Sequence, residues 1–222
     1  MSDVFAELDE VMRQEKLAKF WRENGGAIIF FVVMTILATA GISAYKAWDS
    51  KVRRTQTEAL LAVMDDPAFP SNLDLEALNL RSGLEAIGTL QAAGVNMKEG
   101  KPELAAPLYA KLAEDKSAPQ QFRELGALMN AKLGAQDVQV GEELEKIYSA
   151  LSAIAENDKS PWRYHARIDM AVLLANKEQK FEEARQQLAP VIEAGNLPAS
   201  LSTRAQALDH VYALKQDKVK DE

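Results

Sequence analysis

Cysteine is missing from all 222 residues. No disulfide framework, thiol nucleophile or thiolate metal site can therefore be built. The absence does not choose a compartment, since periplasmic and cytosolic proteins can both lack the residue. Histidine is nearly missing, with two residues, His165 and His210. Neither has a second histidine at helical spacing, so no metal site is expected. There is no Gly-rich phosphate loop, Gly-x-Ser-x-Gly or His-Glu-x-x-His. These absences argue against an enzyme, and no catalytic residue or cofactor is expected. Asp65-Asp66 stands before Pro67 and reads as a helix-ending turn, not a catalytic carboxylate pair. A basic excess is lacking too: 26 Lys and Arg face 33 Asp and Glu, net −7. A nucleic-acid partner, which asks for a basic face, is not expected. Aromatics are 7% of the chain and glycines number 11, while Ala, Leu, Glu, Gln and Lys abound, a mixture that favours helix.

Long charge-free runs are also rare, and the exception organises the chain. Residues 25–45, GGAIIFFVVMTILATAGISAY, carry no charge. A transmembrane helix needs ~20 apolar residues at 1.5 Å each to cross ~30 Å of hydrocarbon. Trp21 precedes the run, and Tyr45 and Trp48 close it. Rings with a polar atom favour the headgroup level, so these three are the expected interface anchors. Trp21 and Trp48 are 27 residues apart, ~40 Å along a helix. Arg22 and Lys46 beside them can snorkel. A buried core helix and a cleaved signal peptide with Ala38-Thr39-Ala40 at its cleavage site are the alternatives. An acid-rich region of 24 residues before the run and the apolar residues after Ala40 weigh against cleavage. Within the run, Thr35, Thr39 and Ser43 fall on one face at i, i+4, i+8. They form either a packing face for another membrane helix or hydroxyls bonded back to their own helix.

The flanks do not orient the span. Arg13, Lys16, Lys19 and Arg22 precede it, and Lys46, Lys51, Arg53 and Arg54 follow, a tie under the positive-inside rule. Before it, Val4, Phe5, Leu8, Val11 and Met12 mark one apolar face of a short amphipathic head over 1–24. After it, 46–70 reads as a helical connector that ends at Asp65-Asp66-Pro67 and Phe69-Pro70.

From 71 to 216 a loose repeat appears. Leu84-x-x-Ile87-Gly88 is echoed by Phe122-x-x-Leu125-Gly126-x-x-Met129 and, less well, by Met170-Ala171-x-x-Leu174. A second pattern follows each: Ala105-x-x-x-Tyr109-x-x-Leu112, Leu144-x-x-x-Tyr148-x-x-Leu151 and Ala184-x-x-x-Leu188-x-x-Val191. Large, large, then small where a second helix crosses is a tetratricopeptide-type pattern, although the standard repeat is ~34 residues. The fold expected is all-α, one N-terminal transmembrane helix followed by a tetratricopeptide-repeat-like α-solenoid. Long turns are expected over 94–101 and 133–141. Pro119, Pro161 and Pro198 mark helix starts. A last helix over 201–214 is capped by Ser200, and 217–222 is a charged, disordered tail. Exposed positions on first helices give a candidate peptide groove of Arg123, Asn130, His165 and Asn176.

Lys19-Phe20-Trp21-Arg22-Glu23-Asn24-Gly25-Gly26, the lone span, Tyr45 and Trp48, then Ala/Gln-rich helix, resemble the YfgM-like family. Its members are ancillary subunits of the bacterial SecYEG translocon, with a repeat domain related to that of the cell-division coordinator CpoB. The resemblance implies an inner-membrane protein with a cytoplasmic head and a periplasmic domain. It further implies partners in the translocon and in periplasmic chaperones or exported chains. An envelope-assembly or cell-division scaffold with no role in translocation is the alternative.

Overall fold

The structure, a computed structural model, describes residues 2–71, 74–75, 77–138 and 140–220, the side chains of 2–11, 14, 137 and 219–220 aside. Its elements are α1 (Ser2–Met64), α2 (Ser82–Lys98), α3 (Pro102–Glu114), α4 (Gln120–Asp137), α5 (Glu142–Ala155), α6 (Arg163–Lys177), α7 (Phe181–Glu193) and α8 (Ala199–Lys220). Among the described residues there is no strand. The chain divides into two compact units, one ending at Thr55 and one starting at Gln56.

In the first unit, α1 carries a window of mean hydropathy 2.3, none of it buried against protein. A core helix would bury such residues, so the core-helix alternative finds no partner here. Among the described residues there is thus one helix, at the N-terminal end, long and apolar enough to span a membrane. Trp21, Tyr45 and Trp48 are all exposed. The Trp21 ring lies over Gly25, 3.2 Å from where a Cβ would stand. The Thr35 hydroxyl donates to the Phe31 carbonyl at 2.7 Å and the Thr39 hydroxyl to the Thr35 carbonyl at 2.8 Å. These two hydroxyls are satisfied within their own helix, so neither needs a neighbour in lipid. Of the apolar head face, Met12 is exposed, and Val4, Phe5, Leu8 and Val11 lie outside the described side chains.

In the second unit each helix from α2 to α8 packs on the next in sequence, and α2–α4, α4–α6 and α6–α8 also touch. The core runs the length of the stack. Ala93, Ala105, Tyr109 and Leu133 fill its α2–α4 end. Leu128, Leu151, Ile154, Met170 and Leu173 fill the middle. Ile168, Phe181, Leu188, Val191, Leu201 and Tyr212 fill the α6–α8 end. Each large side chain fully buried here stabilises by ~1.5–3 kcal/mol. The pattern residues of α3, α5 and α7 are all core: Ala105, Leu144 and Ala184, then Tyr109, Leu112, Leu151, Leu188 and Val191 are buried, and Tyr148 partly so.

The pattern on the even helices is displaced from its expected place in α6. The close approach is made by Gly126, whose Cβ position would lie 2.9 Å from the Tyr109 carbonyl oxygen of α3. Forty residues on stands Ala166 and thirty-nine further Ala205, each fully buried; thirty-eight before stands Gly88, also buried. The third echo is therefore Trp162-x-x-His165-Ala166, with His165-Ala166 five residues before Met170-Ala171. Polar His165 and Asp169 stand where Leu125 and Met129 stand in α4, which hides the match.

Turns are shorter than the glycines suggest. Gly94 lies within α2, and Gly100, at φ +72°, takes the left-handed conformation where that helix has ended. Leu133 lies within α4. At the other ends, Pro119 and Pro198 immediately precede α4 and α8 and Pro161 stands two residues before α6. Ser200 is inside α8, whose first turn closes on the Pro198 carbonyl, accepting from the Leu201 and Ser202 amides. Likewise α8 continues to Lys220, past the expected start of a disordered tail at 217; residues 221–222 lie outside the described residues. Arg185, Asp209, Gln216 and Glu182 explain the extra turns. Arg185 Nε donates to Asp209 at 2.9 Å and Gln216 Nε2 to Glu182 at 2.6 Å, tying the end of α8 to α7.

Candidate functional site

The even helices present a common face, and its α4–α6–α8 part is a trough. Leu125, Met129, Lys132 and Gln136 of α4 recur at i, i+4, i+7, i+11, one stripe of a helix. Forty residues on, position for position, stand His165, Asp169, Val172 and Asn176 of α6. Arg204 is the position of α8 that matches His165. All nine line two cavities. The larger, about 460 Å³, is walled by Lys132, Gln136, Asp169, Asn176, Lys177 and Arg204 over a floor of Ala135, Leu151, Val172 and Leu173. The smaller, about 160 Å³, is walled by Leu125, Met129, Trp162, His165 and the shared Lys132, Asp169 and Arg204.

The shared wall is charged. Asp169 approaches Lys132 Nζ at 3.9 Å and Arg204 at 3.7 Å. Both distances exceed the 2.7–3.2 Å of a formed N–H···O bond. The carboxylate is 13% exposed and the two cations 47% and 48%. Burial pushes the Asp169 carboxyl above its ordinary value, against the pull of Lys132, Arg204 and His165. Burial likewise pushes the His165 imidazole below its ordinary value; Asp169 opposes this, and Arg204 and Lys132 add to it. His165 is set edge-on against Trp162, ring centroids 5.7 Å apart. The Trp162 indole N–H is itself held by the Gln121 carbonyl at 2.8 Å. A third cation, Lys177, donates to the carbonyls of Gln136 (3.2 Å) and Val138 (2.9 Å) at the end of α4. Those acceptors are neutral, so its charge is not cancelled.

Of the four groove residues expected from sequence, the structure brings two into the trough. His165 lines the smaller cavity and Asn176 the larger. Arg123 and Asn130 line neither. They share a stripe of α4, and Arg123 stands about 200° around the helix from Leu125 at 100° per residue. Sequence reasoning missed Lys132, Asp169 and Arg204. The signal that could have found them was the small residue: aligning Ala166 and Ala205 with Gly126 places Asp169 and Arg204 on the stripe. Among the described residues no group of His and acidic side chains is placed to hold a metal ion. Asp66 accepts from the Ala68 amide at 2.7 Å, in the turn after α1.

An expected result follows from the direction of the Asp169 shift. A carboxyl whose pKa is raised on folding weakens the fold above that pKa, and the weakening is relieved as pH falls through it. The full chain carrying Asp169→Asn should therefore melt at or above the wild-type temperature near neutral pH, the gap closing as the solution is acidified. Thermal unfolding by circular dichroism in detergent checks this, and a clear drop at neutral pH would mean the pair stabilises.

Compared with protein-family models, curated proteins and solved structures, the chain matches none of them.

Proposed function

We propose that this is a single-pass protein of the bacterial inner membrane, with a cytoplasmic N-terminus and a tetratricopeptide-repeat-like α-solenoid in the periplasm. It acts as an adaptor that associates with the Sec translocon and passes exported chains to periplasmic chaperones. The domain works by surface and not by bond chemistry. The observation that carries the reading is the trough along α4, α6 and α8 in a chain that also has an unburied membrane-length helix. Stacked helix pairs that expose an even-helix face suit an extended chain segment. The location at the translocon rests on the resemblance carried by residues 19–26 and the aromatic edges of the span.

The test is photocrosslinking in cells from a reactive residue placed at Asn176. Adducts to the translocon channel and to nascent exported chains are the expected outcome. Adducts confined to folded envelope proteins would overturn it in favour of an assembly or division scaffold. Orientation is read from a phosphatase fused after Glu222, expected to be active; a silent phosphatase, with activity recovered only from a cytosol-dependent reporter, would reverse the topology.

A further inference from the structure

The trough is basic although the chain is acidic. Lys132, Lys177 and Arg204 line the larger cavity, against one carboxylate, Asp169, in a chain of net charge −7. The one carboxylate lies closer to neither cation than 3.7 Å, so it neutralises without forming a tight pair. It divides two cavities, one with an apolar floor of Ala135, Leu151, Val172 and Leu173 beneath polar walls, the other lined by Leu125, Leu128, Met129 and Trp162 beside His165. The stripe from Leu125 to Gln136 spans eleven residues, about 16 Å, which is the reach of about five extended residues. In an extended chain, residues i, i+2 and i+4 point the same way.

We propose that the trough binds an extended peptide in which an acidic residue is flanked, two positions away on each side, by large apolar residues. The acidic side chain meets Lys132 and Arg204 at the wall, the position Asp169 now holds, and the two apolar side chains enter the two cavities. Asp169 is then a resident stand-in for the ligand carboxylate. It keeps the cations apart from bulk anions and is displaced from them, though not moved out of the helix, when a peptide carboxylate arrives. Burial of Asp169 against its ionic preference fits a residue retained for binding and not for stability. The specificity is one of sign. A basic residue at the centre would face Lys132 and Arg204, and like charge in a half-buried site is a strong rejection.

This inference rests on the reading of the trough as a peptide site, and the experiment separates the two. Fluorescein-labelled Ser-Leu-Ser-Glu-Ser-Leu-Ser, with its Gln and Lys counterparts at the centre, is titrated with the full chain in detergent, followed by anisotropy. The Glu probe should bind roughly tenfold tighter than the Lys probe and should weaken as salt rises. Lys132→Ala with Arg204→Ala should erase the preference. Asp169→Asn should tighten the Glu probe by about fivefold, a gain that a misfolded variant cannot mimic. Val172→Trp, which fills the larger cavity, should abolish binding of every probe. If all three probes bind alike and Val172→Trp blocks them, the groove stands and the acidic preference is wrong. If no probe binds, or Val172→Trp changes nothing, the groove itself is wrong.

Discussion

Gly126→Val should destabilise the helical domain by about 3 kcal/mol or more, while Gly94→Ala should stabilise it by about 0.5–1 kcal/mol. Both glycines are inside helices, so propensity alone predicts a gain at each. The difference is what a side chain would meet. At Gly126 a Cβ would lie 2.9 Å from the Tyr109 carbonyl oxygen, 3.1 Å from the Ala113 nitrogen and 3.2 Å from the Leu112 Cβ. Two of these are backbone atoms of α3, which cannot rotate aside. To admit a β-branched side chain, α3 and α4 must separate, and Tyr109 and Leu112 then lose part of their burial. At Gly94 a Cβ would meet nothing within 4 Å beyond its own stretch of helix. Gly88 is intermediate. Its neighbours are the ends of the Leu75 and Leu60 side chains, which can give way, so Gly88→Ala costs less than the same change at Gly126. Urea or thermal unfolding of the full chain in detergent measures all three. Equal midpoints for Gly126→Val and wild type would show that the helices do not approach as closely as described.

The same glycine shows how far the sequence could be read. The odd helices carry their core on unbroken apolar spacing, and each pattern residue of α3, α5 and α7 is where spacing places it. Hydrophobic periodicity reports burial, and these helices bury one face completely. The even helices have two tasks. One face packs on the preceding hairpin and another lines the trough, and the trough face of α6 carries His165 and Asp169 in place of Leu125 and Met129 of α4. An apolar template applied to α6 therefore slides to Met170-Ala171, which is buried but lies on a different stripe. Arg123 and Asn130 failed to join the trough for a related reason: polarity and exposure do not say which side of a helix a neighbour leaves open. Local pattern and global packing disagree here where the molecule has a surface to use, which is the usual place for them to disagree. Helix ends were obscured by a separate cause. Gly94, and Leu133 beside Gly134, read as turn boundaries because glycine is a breaker by propensity, yet α2 and α4 continue through them on tertiary packing.

The membrane-length helix allows the sharpest loss of behaviour. Val33→Arg with Leu37→Arg is expected to move the protein from the alkali-resistant membrane fraction to the soluble fraction. Each arginine near the centre of a span costs about 2.5–3.5 kcal/mol on insertion, so the pair costs roughly 5–7 kcal/mol. The positions are one helical turn apart, on one face, and each is eight residues, about 12 Å, from its nearer end of the 25–45 run. Snorkelling from there is poor. At Gly26 an arginine can reach the headgroups beside Arg22, so Gly26→Arg should leave fractionation unchanged. Leucine at Thr35 should also leave it unchanged, because the hydroxyl it removes is already bonded to the Phe31 carbonyl. The helical domain reports separately: the buried cores from α2 to α8 contain no residue of 25–45, so its melting should be unaffected by the arginines. A double variant that stayed in the membrane, with the helical domain folded, would show that something other than this helix holds the chain there.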